Sequence, residues 1–280
     1  MKTFANIFIA ICMGLLLTSC EDVIELDVPE SRPQLVVEGS ITNTEGRQRI
    51  KLSWSTPYFE ESTPPPVVNA QVRLIDNVNR NELLQEEVTG TFFTDISGKI
   101  GNSYSITITL EDGRIYRSDP ETLFPVTQID HLKVVREDPE EELDEEGKAG
   151  YKVLITAFVP PEERNFYRWK IYVNDTLENK PDDLAFARDD FVNEQVIDVE
   201  IFSDYMRQGD SVRVEQMSIT ESYYDFLSVL FQQTVFTGGL FDPPPAPIDG
   251  NIRNLADEQD YALGYFHASA VVQARTKIED

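Results

Sequence analysis

The sequence predicts a mainly β protein built as two antiparallel units in tandem. Three features carry that expectation. Apolar and polar residues alternate over short runs, the runs recur about every ten residues between turn-forming residues, and one stretch alone has helical periodicity.

The first unit is expected from Ser31 to Pro125 as an immunoglobulin- or fibronectin-like β-sandwich. Leu35 to Ile41 is rich in β-formers and leads into the turn Asn43-Thr44-Glu45-Gly46. Ile50, Leu52 and Trp54 then alternate with Lys51 and Ser53, which gives a half-buried strand. Val68 to Leu74 repeats the pattern. The clearest two-residue period is Tyr104, Ile106, Ile108 and Leu110, and Glu111-Asp112-Gly113-Arg114 reads as a hairpin turn into Ile115-Tyr116.

Residues 126–280 are expected to form a second antiparallel β domain, a sandwich or an open barrel. Its strands are predicted at Ile129–Val135, Tyr151–Phe158, Tyr167–Val173, Val196–Phe202, Val212–Ile219 and Leu263–Gln273. Tyr223, Phe226, Leu227, Leu230 and Phe231 fall on one helical stripe, so a helix is predicted at about 222–234. Ser222 and Asp225 supply a capping box for it. The stripe reads as core, with the helix lying on the second sheet. Thr63-Pro64-Pro65-Pro66 and Asp242-Pro243-Pro244-Pro245-Ala246-Pro247 are stiff surface loops, because proline fixes φ and donates no hydrogen bond.

Ahead of these units, basic Lys2, an apolar run from Phe4 to Leu17 and the small residues Thr18 and Ser19 make a secretory signal over residues 1–19. The run is about 14 residues, short of the roughly 20 that span a bilayer as a helix. Leu17-Thr18-Ser19-Cys20 resembles the lipobox of bacterial lipoprotein precursors, which implies cleavage between Ser19 and Cys20 and a diacylglycerol on the Cys20 thiol. Cys12 and Cys20 are the two cysteines, and Cys12 falls in the removed segment, so the mature chain has no internal disulfide. Acyl chains contribute ~0.8 kcal/mol per buried methylene, which makes Cys20 a lasting membrane anchor. Residues 20–30 form an acidic tether, and acids directly after the cysteine resemble surface-export signals of Bacteroidota lipoproteins.

Fifty acidic residues against 24 basic ones give a net charge of −26. That field repels phosphate backbones and argues against nucleic acid as a partner. Within the acidic run at 137–146, Asp138, Glu140, Glu142 and Asp144 are calcium ligands by type, but they lack the alternating order that aims side chains at one ion. A solvated loop is the simpler expectation, and no cofactor is expected. The histidines are His131 and His267, and no nucleophile, zinc or phosphate-loop motif accompanies them. Carboxylates near Trp54 or Trp169 leave a glycosidase-like alternative open. Trp54, Tyr58 and Phe59 beside the first proline loop, and Phe236 and Phe241 beside the second, are candidate contacts for a ligand or protein partner.

Cys20 to Leu26, Leu35 to Thr42, Leu52 to Ser55, Val68 to Val72, Gly101 to Tyr104, Ser222 to Tyr224, Gly238-Gly239, Gly250 to Ile252 and Ala262 to Phe266 together resemble, in order, the Bacteroidota lipoproteins of domain-of-unknown-function family 4249. The resemblance implies a non-enzymatic outer-membrane lipoprotein, surface-exposed or on the periplasmic face. Its implied partner is a TonB-dependent receptor, in the capture or import of a small-molecule, peptide or glycan ligand. A structural or adhesive surface role is the alternative.

Overall fold

The computed structural model describes residues 32–57, 62–136, 150–159, 165–189, 194–201, 206–235, 248–257 and 259–279. Residues 33–280 cluster as one compact unit. In chain order the first half contributes β1 (Leu35–Thr42), β2 (Gln48–Trp54), β3 (Gln71–Asp76), β4 (Asn81–Leu83), β5 (Gln85–Val88), β6 (Thr91–Thr94), β7 (Ser103–Thr109), β8 (Ile115–Ser118) and β9 (Glu121–Thr122). The second half contributes β10 (Ile129–Arg136), β11 (Tyr151–Val159), β12 (Phe166–Val173), β13 (Thr176–Leu177), β14 (Ala185–Arg188), β15 (Glu194–Glu200) and β16 (Ser211–Ile219). Helix α1 (Glu221–Val235), β17 (Ile252–Asn254), β18 (Leu263–Ser269) and β19 (Val271–Lys277) complete it.

The fold is mainly β, as expected, in four open sheets among the described residues. None of them closes into a barrel. The first sheet runs β18-β1-β2-β6-β5 and the second β17-β8-β7-β3-β4, with β9 also on β7. They share one core: Val37, Leu52, Phe92 and Phe266 from the first meet Val72, Tyr104, Ile106, Ile108 and Tyr116 from the second. The alternation read at Tyr104, Ile106 and Ile108 is what buries these three while Ser105 and Thr107 stay partly exposed. The hairpin closes as expected, with Leu110 N–H donating to Arg114 O and Gly113 at φ +87°.

The third sheet, β10-β11-β15, packs on the fourth, in which β13-β12-β16-β19 are joined by β14 on β12. Val153, Ile171, Val212 and Val214 fill the space between them. The other face of the fourth sheet carries α1, through Phe166, Met217, Ile219, Tyr223 and Leu227. The helix therefore lies on the second unit's sheet, as its stripe predicts. Its first turn is held differently from expectation: Thr220 Oγ1 accepts from Tyr223 N–H at 3.2 Å, while Ser222 Oγ donates to Glu121 at 3.2 Å. Glu121 comes from another strand and draws Ser222 away from the backbone.

Two expectations about the C-terminal end are corrected. The single strand predicted at Leu263–Gln273 is two strands, parted at buried Ala270, whose N–H donates to Ser218 Oγ. There the chain leaves the first sheet for the fourth. In addition, β17 pairs with β8, and β18 pairs with β1 in parallel, so the boundary at 125/126 does not separate two contiguous units. The N-terminal sandwich is finished by strands about 135 and 227 residues further along than the ones they pair with. Such long-range pairing leaves no local sequence signal, which is why alternation alone assigns these strands to the second half.

Candidate functional site

β18 is the strand shared by both halves, and its two faces explain the site. Phe266 and Ala268 point into the N-terminal core, whereas Tyr265, His267 and Ser269 alternate onto the opposite face. The parallel register sets Glu38 beside Tyr265 and Ser40 beside His267. Gly264, at φ +83°, makes the approach possible: a Cβ there would lie 2.1 Å from Val37 O.

β12 supplies the facing wall by the same alternation. Trp169, Ile171 and Val173 pack toward the third sheet, and Phe166, Arg168, Lys170 and Tyr172 take the other side. Along that side the character changes. Phe166 sits opposite Ile219 beneath α1, Arg168 opposite Met217, and Lys170 opposite Glu215. Beyond the helix the sheet thus presents cations where it presented apolar groups.

Between the two walls is a cleft of about 550 Å³, within the roughly 300–1,000 Å³ range of small-molecule sites. Glu38, Ser40 and Arg49 line it from the first sheet, with Gly264, Tyr265 and His267 from β18. Arg168 and Lys170 line it from the fourth sheet, and Tyr223, Phe226 and Leu230 from α1. The aromatic wall is tightly built: Tyr223 stacks on His267 at 4.3 Å and lies 4.7 Å from Tyr265, which lies 4.9 Å from Phe226.

The cleft's charges are poorly balanced. Arg168 donates to the Tyr223 hydroxyl, and its Nε is buried without an acceptor. Glu215, the carboxylate nearest Lys170 in register, is held by Arg213 and also accepts from Tyr172 at 3.3 Å. Glu38 pairs with Lys51 at 3.1 Å. Burial, Arg168 and Arg49 together bring the Lys170 amine down to about 8 against the pull of Glu215. Burial, then Lys170 and Arg168, holds His267 well below the usual imidazole range, so it is neutral at pH 7. Its Nδ1 lies 2.9 Å from Ser269 Oγ.

Behind the aromatic wall is a buried carboxylate. Glu121 accepts from Thr220 at 2.6 Å, Tyr265 at 2.8 Å and Ser222 at 3.2 Å. Burial raises its pKa against those donors. Burial and Glu121 push the Tyr265 phenol up.

Of the contacts predicted from sequence, Trp54 borders a second concavity of about 460 Å³ with Pro57, Pro65 and Arg114, whose guanidinium lies 5.6 Å over the indole. Ser19, Cys20, Tyr58, Phe59, Phe236 and Phe241 lie outside the described residues, as do Asp138, Glu140, Glu142 and Asp144. Among the described residues no cluster of three or more metal-ligating side chains occurs, and no helix is long and apolar enough to cross a membrane. Trp169 belongs to the second core and donates to Gln216 at 3.0 Å. His131 is exposed on β10, on a different sheet from His267. Sequence reasoning did not find Arg49, Arg168 and Lys170. The available signal was the pair of cations at alternate positions inside an otherwise apolar strand.

Fold and site together define a β-sandwich protein with a cationic cleft between its two β units. The family model described as "Domain of unknown function (DUF4249)" matches residues 21–275, and the chain belongs to that family. No curated protein matches it. Among solved structures it is similar to a two fibronectin type-III domain segment from chicken tenascin, at 15% identity and a TM-score of 0.19, over 68% of this chain and 92% of that one.

Proposed function

We propose that the chain is a lipid-anchored outer-membrane protein that binds a small ligand in the inter-unit cleft and works beside a TonB-dependent receptor, without chemistry of its own. The cleft carries this reading: it is concave, has an aromatic wall, and draws its polar groups from both β units. The lipobox ending at Cys20 supports the anchor, and the receptor context is what the resemblance of the sequence to outer-membrane lipoproteins implies. A hydrolytic role has less support. The serine hydrogen-bonded to the cleft's His267 is Ser269, which is fully buried, and His267 itself is 6% exposed. A substrate carbonyl has no path to that hydroxyl.

Two measurements test the reading. Cys20→Ala moves the protein from the membrane to the soluble fraction; retention in the membrane refutes the anchor. A C-terminal tag recovers a barrel receptor from detergent-solubilised envelopes; repeated recovery of the chain alone refutes the partnership and favours the adhesive alternative.

A further inference from the structure

Resting on the reading of the cleft as a ligand site, we propose that its ligand is an organic oxyanion, with the carboxylate or phosphate held by Arg168, Lys170 and Arg49 and an apolar body laid against Phe226 and Leu230. The cations come from both walls: Arg49 from β2, and Arg168 and Lys170 from β12. Neither the Arg49 nor the Lys170 side chain has a hydrogen bond or ion pair with a described residue, and the Arg168 guanidinium binds only a phenol. The nearby carboxylates are occupied, Glu215 by Arg213 and Glu38 by Lys51.

Three like charges around one concavity repel each other, and the chain holds them there while carrying a net charge of −26. A solvated surface needs no such arrangement; an anion seated among the three relieves the repulsion and supplies an acceptor to the orphaned Arg168 Nε. Neutral His267 adds a polar group without adding charge. Arg168 projects a planar fork of donors suited to a bidentate oxyanion, and Lys170 supplies a point charge beside it.

Calorimetry on the full chain at pH 7 uses three probes: 3-phenylpropionate, phenyl phosphate and the uncharged 3-phenylpropanol. The expected result is that at least one anion binds ~10-fold or more tightly than the alcohol and that Lys170→Gln removes the preference. Whichever anion binds better identifies the headgroup as carboxylate or phosphate. Equal binding of the alcohol, absence of binding by both anions, or an unchanged preference in Lys170→Gln overturns the proposal. Should Lys170→Gln fail to fold, Arg49→Gln on the exposed rim reads the same loss. Receptor capture is scored separately: lost anion preference with retained capture overturns the oxyanion alone, and the reverse overturns the partnership alone.

Discussion

Lys170 and Glu215 stand opposite each other in the register of β12 and β16, yet the Glu215 carboxylate is held by Arg213 and Lys170 has no ion-pair partner among the described residues. An available counter-charge is thus drawn one step along its own strand, and the cleft keeps an uncompensated ammonium. The cost of that choice is measurable as a dependence of stability on pH.

The Lys170 amine is lowered from 10.5 to about 8 in the folded chain. Between those values the unfolded chain binds more protons than the folded one, so stability rises as pH increases through the window. Below 8 the charged amine is a standing destabilisation. Lys170→Met is therefore expected to melt higher than wild type at pH 7, by on the order of 1 kcal/mol once solvent screening is included. The difference should close by about pH 10.5. Paired thermal melts across pH 7–10.5 check it, and a constant difference would refute the assignment.

His267 shows a second window. Its folded pKa lies well below 6.5, so the unfolded chain takes up the proton first, and stability is lost as pH falls below 6.5. Protonation there introduces a cation among Tyr223, Lys170 and Arg168. His267→Gln, which keeps a hydrogen-bonding partner for Ser269, should flatten the stability profile between pH 6.5 and 5. A profile as steep as that of wild type would place the acid-sensitive group elsewhere.

Glu121 has the opposite sign. Its folded pKa is raised, so its contribution falls as pH climbs from 4.5 through the folded value. Glu121→Gln removes that titration, while Glu121→Ala also takes the acceptor from the buried Tyr265 hydroxyl; Thr220 and Ser222 keep each other as partners. The alanine variant should lose about 1–3 kcal/mol, the cost of one buried donor left unpaired. Denaturant midpoints separate the two variants, and equal losses would show that the Tyr265 hydroxyl finds another partner.

The parts of this fold that were legible in sequence are those set by local period. Tyr104, Ile106 and Ile108 announce β7, and Tyr223 with Leu227 announces the buried stripe of α1, because burial of one face imposes period 2 or 3.6 on the chain itself. The cleft was not legible. Arg168 and Lys170 occupy alternate positions of a strand whose intervening Trp169 and Ile171 are core, and such a pattern normally marks a solvated face. What turns that face into a cleft wall is the return of β18 to β1, more than 200 residues away. Neither strand advertises the other: Val37 and Gly264 become neighbours only when the sheet is assembled.

That junction gives the sharpest structural test. Gly264→Ala meets two obstacles at once: a backbone φ of +83° and a Cβ placed 2.1 Å from Val37 O. The φ alone costs about 1–2 kcal/mol for an L-residue. The collision is with backbone inside a paired ladder, so it is relieved only by moving β18 off β1. Gly113→Ala is the matched control, because Gly113 has φ +87° and nothing within 4 Å of a Cβ. The control should lose only the conformational term, a melting shift of about 2–8 °C at roughly 2–4 °C per kcal/mol for a chain near this size. Gly264→Ala should lose several-fold more stability. Because Tyr265 and His267 ride on β18, it should also abolish binding of the anionic probes under conditions where the chain is still folded. Equal melting shifts for the two variants would mean that β18 is free to slide at its start. The cleft would then be held together by α1 and the fourth sheet rather than by the β1–β18 pairing.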